Sequence, residues 1–372
     1  MEGVRGARLI SDRAPRTVIA ALPPSPLRLG LEQLMRFGTI AIVGRSNVGK
    51  STFLNRVLGE PLAIVSPLPQ TTRDNVLGVV HREDAQLAFL DTPGVHTPRS
   101  ELGRRMNASA LDAARTADVV LFMTDIAALA PAKQAAKEKS VRELDQELFQ
   151  GVPKDAVVVL VVNKVDALRD KSKLLPLLVA YQELRDFQAL IPISVKADDG
   201  IELVLKALSD ALPEGGLGFD EDTLTDRPTS FFVREYIREQ VLLAMRGEIP
   251  HAVAVSIDEF AEGPKSSSIK ATVHVEKVGQ RKIIIGTGGL QIKEIRVGAQ
   301  ARIGALLGHK VHLELFVRVT PQWKSMPRQL AELGYEAPVG LKQVAAAKKP
   351  TRSGAKTKAM TKTKKRPPAR AR

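Results

Sequence analysis

The sequence of 372 residues contains no cysteine. Disulfide bonds, a thiol nucleophile and a cysteine-ligated metal are therefore excluded, and this composition suits a reducing cytosol. The chain also lacks any apolar run of the ~18 residues that a helix needs to cross a membrane. With 44% hydrophobic residues, a chain of this length has room for two domains with ordinary cores.

Acidic residues are scarce at both ends of the chain. Residues 345–372 hold eleven Lys or Arg and no acid, and residues 1–30 hold five Arg against two acids. Subtracting 11 and 3 from the net charge of +14 leaves residues 31–344 near zero. The basic charge therefore lies in the ends, and the central part must be interpreted from its motifs.

Both ends are predicted to be disordered. Residues 323–372 form a basic tail that we expect to attract phosphate backbones in a salt-dependent way, and a solvating tail without a specific partner is the alternative. Residues 1–36 form an N-terminal extension whose proline cluster disfavours an organelle transit peptide. Met35 lies just before the first predicted strand, so a mis-assigned start codon is a further alternative.

A phosphate-binding loop, GRSNVGKST, follows the apolar strand 39–43 and precedes a helical stretch at 53–58. Its glycines let backbone N–H groups surround phosphates, Lys50 reaches the β and γ oxygens, and the Ser51 hydroxyl ligates Mg²⁺. This motif alone does not distinguish ATP from GTP. The nucleotide contacts predicted here are Gly44, Arg45, Ser46, Asn47, Val48, Gly49, Lys50, Ser51 and Thr52.

The tetrapeptide Asn163-Lys164-Val165-Asp166 directly follows the apolar run 157–162. It is predicted to select guanine, and an ordinary polar turn is the alternative. The Asp166 carboxylate can accept hydrogen bonds from the guanine N1–H and exocyclic amine, which adenine does not offer in that arrangement. We expect Asn163 to read the O6/N7 edge and the Lys164 stem to lie along the base. A weaker motif, Ser194-Val195-Lys196, could supply backbone contacts to O6, with a simple strand-to-loop transition as the alternative.

Two further segments are predicted to respond to the γ-phosphate. After the strand 87–90, the Asp91 carboxylate would hold the Mg²⁺ shell through water, and the Gly94 amide would sense the γ-phosphate; the predicted contacts are Asp91, Thr92, Pro93, Gly94 and Val95. The polar loop 66–74 would close on Mg²⁺ through a threonine hydroxyl when GTP is bound. The residues alone leave both Thr71 and Thr72 open for this role.

Six short strands alternate with helical stretches at 39–43, 76–80, 87–90, 119–124, 157–162 and 190–194. This alternation predicts an α/β domain at 37–212: a mostly parallel six-stranded sheet, helices on both faces and one antiparallel edge hairpin. All the motifs above follow strand ends, where ligands bind in such sheets. A linker rich in Gly, Asp and Pro is predicted at 213–229.

Residues 230–322 are predicted to form an α+β domain in the order helix, strand, strand, helix, helix, strand, which is that of a type II KH domain. A Gly-x-x-Gly turn between its second and third helices would clamp the backbone of single-stranded RNA. The alternative is a glycine-rich turn that binds no RNA. The predicted RNA contacts are Ile284, Ile285, Gly286, Thr287, Gly288 and Gly289.

With GRSNVGKSTFLN, PQTTRD, DTPGVH, NKVD and IIIGTGG in this order, residues 37–323 resemble the Era family of bacterial GTPases. The resemblance implies slow, Mg²⁺-dependent hydrolysis of GTP to GDP and binding of the 3′ end of 16S ribosomal RNA during assembly of the 30S subunit. It also implies a monomer in the cytoplasm with peripheral association with the inner membrane. By position it assigns Lys50, Thr72 and Gly94 to catalysis and Ser51, Thr72 and Asp91 to the metal, with a potassium ion at Asn47 as a secondary hypothesis.

Three positions depart from common patterns. Val95 stands where Ras-type GTPases place a water-orienting glutamine, so we expect slow intrinsic hydrolysis. Thr287 stands where the family often has lysine, and Val195 replaces the usual alanine. A membrane-linked signalling GTPase whose second domain binds protein is the main alternative function, and a kinase of a small metabolite is disfavoured by the NKVD motif.

Overall fold

The computed structural model describes residues 35–129, 141–245, 247 and 249–335. An α/β domain comes first, and its sheet has the strand order β2-β3-β1-β4-β5-β6. Only the β2–β3 pair is antiparallel, so the predicted parallel sheet with one antiparallel edge is confirmed. The strands are β1 Arg36–Gly44, β2 Val76–His81, β3 Ala85–Asp91, β4 Val119–Asp125, β5 Val157–Asn163 and β6 Ala189–Pro192.

Helices cover both faces of this sheet. Their bounds are α1 Lys50–Leu58, α2 Glu101–Thr116, α3 Val141–Phe149, α4 Leu174–Gln182 and α5 Ile201–Ala211. Alternate residues of β1 enter different cores: Ile40 and Ile42 pack on one side, Ala41 and Val43 on the other. A strand buried on both faces reads as a continuous apolar run, which is why these strands were visible in the sequence.

Two boundaries of the first domain differ from the predictions. Arg36 belongs to β1, and its pairing with Ala85 on β3 explains why the strand begins earlier than its apolar run. The strand β6 ends at Pro192, so Ser194 lies beyond it and pairs with Asp199 in an isolated bridge. Residues 1–34 of the predicted N-terminal extension lie outside the described residues.

The second domain has the predicted order of elements. They are α6 Thr229–Ala244, β7 Ala254–Glu262, β8 Ser266–Val275, α7 Val278–Ile285, α8 Leu290–Leu307 and β9 Lys310–Val319. Its sheet has the order β7-β8-β9, with β7–β8 antiparallel and β8–β9 parallel. At the start of α7 the Gln280 side chain accepts hydrogen bonds from the backbone N–H groups of Glu276 and Lys277.

The predicted linker packs along the edge of the first sheet. The Val79 amide donates to the Leu224 carbonyl oxygen at 2.9 Å. The Gln86 side chain accepts from the Gly218 and Phe219 amides at 2.8 and 2.9 Å. Because these bonds tie the segment to β2 and β3, it links the domains along a fixed path.

The prediction that disorder begins at residue 323 is wrong. Trp323 is fully buried, the chain forms a further helix, α9 Pro327–Glu332, and Leu330 and Tyr335 are buried with it. These residues pack against Leu102 and Met106 of α2. A hydrophobic cluster formed with another domain holds this segment, and such a partner cannot be identified from local composition. The rest of the predicted tail, from residue 336, lies outside the described residues.

Candidate functional site

The phosphate loop connects β1 to α1 and is held closely against its neighbours. Gly49 has φ +107°, and a Cβ atom there would lie 2.3 Å from the Asn163 amide nitrogen, so only glycine fits. The Lys50 ammonium is buried and donates to the carbonyl oxygens of Gly44 and Arg45 at 3.1 and 2.9 Å. Burial lowers the pKa of Lys50 to about 8. The lysine is thus folded back over a loop shaped to receive phosphate.

Three oxygen-bearing side chains meet beside the phosphate loop. The Ser51 hydroxyl donates to Asp91 Oδ2 at 2.6 Å and lies 2.8 Å from the Thr72 hydroxyl. Asp91 is fully buried, and its Oδ1 atom has no hydrogen-bond partner. Burial raises the pKa of Asp91 to about 6. This set of two hydroxyls and a carboxylate with an unused oxygen matches the ligand preferences of Mg²⁺.

The structure distinguishes Thr71 from Thr72, which the sequence left as alternatives for the hydroxyl that closes on Mg²⁺. The Thr71 hydroxyl donates to the Leu68 carbonyl oxygen at 2.6 Å and contacts the Ser66 hydroxyl at 2.7 Å. It is therefore engaged within its own loop. The Thr72 hydroxyl, by contrast, reaches Ser51 at the carboxyl end of the sheet.

Asp166, the last residue of the 163–166 motif, is exposed. It is oriented by Ser194, whose hydroxyl donates to it at 2.6 Å. The predicted reading of the guanine edge by Asn163 stays a prediction, and Asn163 also has contacts within the protein. The Asn163 side chain is buried, donates to the Val48 carbonyl oxygen at 2.8 Å and accepts from the Val195 amide at 3.2 Å. Its amide therefore joins the phosphate loop to the 194–196 loop.

One open cavity of about 550 Å³ runs between these groups. The 64–72 segment forms part of its wall, so the predicted switch loop borders the ligand space. The predicted contacts that line it are Ser46, Asn47, Gly49, Lys50, Ser51, Thr52, Thr72, Gly94, Asn163, Lys164, Asp166, Val195 and Lys196. The predicted contacts that do not line it are Gly44, Arg45, Val48, Asp91, Thr92, Pro93, Val95, Val165 and Ser194.

Several of the residues set back from the cavity support those that line it. The Thr92 hydroxyl is buried and donates to the Ile42 carbonyl oxygen at 2.7 Å. The Val95 amide donates to the Gly44 carbonyl oxygen at 3.3 Å. A Cβ atom on Gly94 would lie 2.6 Å from the Ser46 Cα atom, so the 91–95 segment packs directly against the phosphate loop.

In the second domain the Gly-x-x-Gly turn lies between α7 and α8, as predicted. Thr287 and Gly288 are exposed at the turn, but Ile284 is fully buried in the core. The assignment of Ile284 to RNA is therefore wrong, because α7 packs this residue against the sheet. Ile283 is instead exposed.

Sequence reasoning missed a second surface in this domain. Phe316 on β9 is 53% exposed, and it lines a cavity of about 520 Å³ together with Arg281 and Arg318. An aromatic and an arginine at alternating positions of a strand could have signalled it, since alternate residues share one face. Aromatic and guanidinium groups are the side chains on which single-stranded bases stack.

Residues 39–164 match the family described as 50S ribosome-binding GTPase, and residues 248–324 match the KH domain family. The GTPase Era of Geobacter metallireducens is 42% identical over 302 residues, covering 81% of this chain and 98% of that protein. The GTPase Era of Lactobacillus delbrueckii subsp. bulgaricus is 40% identical over 310 residues, covering 83% and 99%. The chain belongs to the Era family of GTPases.

Two solved Era structures superpose on this Era-family GTPase over both domains. One is an Aquifex aeolicus Era variant bound to GDP and AlF4⁻, with a TM-score of 0.75, 35% identity and coverage of 81% of this chain and 100% of that one. The other is Era in complex with MgGDPNP and nucleotides 1506–1542 of 16S ribosomal RNA, with a TM-score of 0.74, 35% identity and coverage of 81% and 99%. The predicted family and fold are confirmed, and the protein is a GTPase.

The switch loop of this Era-family protein is attached to the second domain through Arg73. Its buried guanidinium donates to the Val253 carbonyl oxygen at 2.5 Å, and to the Pro250 carbonyl oxygen and the Tyr335 hydroxyl at 3.3 Å. It also lies 5.6 Å from the ring centroid of Trp323 and 5.9 Å from that of Tyr335. Sequence reasoning missed this contact because its partners are far away in the chain.

Two arginines of α6 reach the same loop from the other side. Arg238 is fully buried, forms an ion pair with Glu235 and donates to the Thr71 carbonyl oxygen. Arg234 donates to the Asp74 carboxylate at 2.9 Å.

Among the residues that the structure describes, no helix is long and apolar enough to cross a membrane.

Proposed function

We propose that this Era-family GTPase is a GTP-controlled switch that binds the 3′ end of 16S ribosomal RNA through its KH domain and assists assembly of the 30S subunit. The observation that carries the proposal is the double contact of the 66–74 loop. One side of the loop lines the nucleotide cavity, and the other side is bonded to the C-terminal domain through Arg73, Asp74 and the Thr71 carbonyl oxygen. A change in the loop at the nucleotide must therefore change its contacts with the RNA-binding domain.

The nucleotide end of the switch would use polar side chains near the carboxyl ends of the strands. Asp166 would accept from the guanine N1–H and amine, and Lys50 would leave its carbonyl partners for the β and γ oxygens. Ser51, Thr72 and Asp91 would hold Mg²⁺, which neutralises charge that develops on the phosphates when it is bound. Gly94 would donate its amide to the γ-phosphate, so that the 91–95 segment also responds to hydrolysis.

The slow rate expected for hydrolysis follows from the side chain after Gly94. Val95 is apolar, so its side chain can neither donate to nor accept from an attacking water.

A potassium ion at Asn47 is a secondary proposal. The Asn47 side chain donates to the Pro67 carbonyl oxygen at 2.9 Å. Faster turnover in K⁺ than in Na⁺ would support such a site, and equal turnover would count against it.

The RNA end would use the exposed Gly-x-x-Gly turn and its apolar neighbours. Ile283 and Leu290 flank the turn and are 54% and 68% exposed, which offers uncharged surface to unstacked bases. Phe316 and Arg281, which line another cavity of this domain, would add stacking and charge. We further propose that the protein acts in the cytoplasm as a monomer, with peripheral membrane association.

Gly288 is the position at which to test RNA binding. It has φ +59°, a conformation that asparagine and aspartate tolerate, and a Cβ atom there meets nothing within 4 Å. At Gly286, with φ +73°, a Cβ atom would instead lie 2.6 Å from the Gln291 Cβ atom and disturb the helix junction. Gly288→Asp therefore adds a charge that repels phosphate, and Gly288→Asn is the uncharged control of equal size.

We expect Gly288→Asp to weaken binding of a labelled 16S 3′-end RNA by about tenfold or more at moderate salt, while GTP hydrolysis is retained. Gly288→Asn should bind within about threefold of the unmodified protein. Equal RNA binding by all three proteins would contradict the assignment of the turn. Preferential crosslinking to RNA other than the 16S 3′ end, or capture of a membrane protein with no RNA, would contradict the proposed partner.

A further inference from the structure

Asp145 is a fully buried carboxylate in a helix that sequence analysis did not connect with the nucleotide. It accepts three hydrogen bonds: from Arg45 Nε at 2.7 Å, and from the hydroxyls of Thr124 and Tyr181 at 2.6 Å each. Burial raises the pKa of Tyr181, so the phenol stays protonated and keeps donating. A buried charge with this many donors has a defined orientation.

Arg45 is the second residue of the phosphate loop, and its side chain points away from the nucleotide cavity toward Asp145. Its guanidinium also reaches the Asp125 carboxylate at 3.3 Å. Its main-chain carbonyl oxygen, in contrast, receives the Lys50 ammonium at 2.9 Å. The position of that carbonyl, and with it the resting position of Lys50, therefore depends on the anchor behind it.

The same network holds the loop at a second point. Lys164 of the guanine-reading motif donates to the Asn47 carbonyl oxygen at 2.6 Å and to the Asp125 carboxylate at 2.7 Å. The phosphate loop is thus fixed at Arg45 and Asn47, both through cations that share Asp125. Ser46 lies between them, and its hydroxyl is buried without a hydrogen-bond partner.

We propose that Asp145 is a positioning residue that keeps the phosphate loop in its nucleotide-accepting shape by anchoring Arg45. The two carboxylates and two cations balance in charge, so the network is neutral as a whole, while removal of one member leaves a buried charge without its partner. Asp145 does not line the nucleotide cavity and would act only through the loop. Its effect belongs to binding, because a preshaped loop avoids the cost of ordering it when the phosphate arrives.

The test is Asp145→Asn, which keeps the size of the side chain and removes its charge. The matched control is Asp118→Asn, the same change at the opposite end of the sheet, where Asp118 accepts from the Thr39 amide and hydroxyl at 2.8 Å each. Affinities for GDP and GTP are measured with fluorescent analogues, and KM and kcat by phosphate release. Circular dichroism checks that each variant is folded at the assay temperature.

For Asp145→Asn we expect both affinities to fall by the same factor, about tenfold to a hundredfold, with KM raised and kcat within about twofold. If the bound substrate and the transition state lose the same amount of binding free energy, KM rises and kcat stays unchanged. A variant that was merely less stable would not separate KM from kcat, and Asp118→Asn should leave both unchanged. The preference for guanosine over inosine diphosphate should also persist, since Asp166 and Ser194 lie outside the network.

A double-variant cycle gives the second readout. Arg45→Ala combined with Asp145→Asn should lose no more GDP affinity than the worse of the two single variants, because both remove the same anchor. If Asp145→Asn does not fold, Arg45→Lys and Tyr181→Phe carry the test, with a rise in KM expected for each. An unchanged KM in the folded variants, an equal effect of Asp118→Asn, or additive losses in the cycle would overturn the proposal.

Discussion

Replacing Arg73 by methionine removes the guanidinium that joins the switch loop to the C-terminal domain while keeping most of the apolar stem. The three lost hydrogen bonds come from a charged donor, and each such bond contributes about 1.5–3 kcal/mol. The cost of burying the guanidinium, which lowers the pKa of Arg73, offsets several kcal/mol of that total. We expect a net loss of about 2 kcal/mol, or roughly 30-fold in the equilibrium that docks the two domains.

The chain supplies its own probe for this loss. Trp323 is the single tryptophan of the sequence, is fully buried and packs beside Arg73. In Arg73→Met we expect the Trp323 fluorescence to shift to longer wavelength as water reaches the ring. We also expect the urea midpoint of unfolding of the variant to fall. We also expect the difference in RNA affinity between the GDPNP and GDP states to shrink, because the loop no longer moves the second domain.

Arg82→Met serves as the control, because Arg82 lies in the same domain and pairs with Glu202 away from the domain interface. It should leave both the Trp323 emission and the nucleotide dependence of RNA binding unchanged. The reasoning is refuted if Arg73→Met keeps native Trp323 emission and the full difference between nucleotide states. It is equally refuted if Arg82→Met produces the same changes.

Three further predictions concern the metal, the base and the tail. Burial raises the pKa of Asp91 to about 6, so Mg²⁺ must displace a proton from this carboxyl below that pH. Calorimetry should therefore show weaker Mg²⁺ binding as the pH falls through 6. GDP binding measured in EDTA should show no such step. Asp166→Asn should lose ~10²-fold or more in GDP affinity and gain affinity for xanthosine diphosphate, since an amide can donate to the xanthine O2 atom, and an unchanged GDP affinity in a competition assay would contradict this. Deleting residues 345–372 should reduce the salt dependence of RNA affinity, and an unchanged slope of log affinity against log salt would rule out a phosphate-binding tail.

The nucleotide site was largely readable from the sequence because its chemistry is local. Short motifs place Lys50, Ser51, Asp91 and Asp166 directly after apolar strands, and parallel strands bring their carboxyl ends to one edge of the sheet. The same logic predicted the order of elements in the second domain and its Gly-x-x-Gly turn. The roles of these individual residues and of the turn in binding nucleotide and RNA remain predictions.

The sequence did not reveal the direction and partners of side chains. Asn163 and Arg45 belong to nucleotide-binding motifs, and the structure adds that Asn163 bonds to two loops of the protein and that Arg45 points toward Asp145. Ile284 follows the apolar pattern of its helix but faces the core. A motif specifies residue types and spacing, while the direction of each side chain depends on what packs behind it.

Local sequence thus determined that this chain has a GTPase domain followed by a KH domain, and it predicts that GTP binds between the phosphate loop and the 163–166 motif. Only the tertiary structure decided how the two are joined. Arg73 packs beside Trp323 and Tyr335, which come from a segment that composition alone assigned to a disordered tail. Contacts over more than 200 residues of chain are invisible to pattern and composition, because they arise from burial against a surface that exists only after both domains have folded.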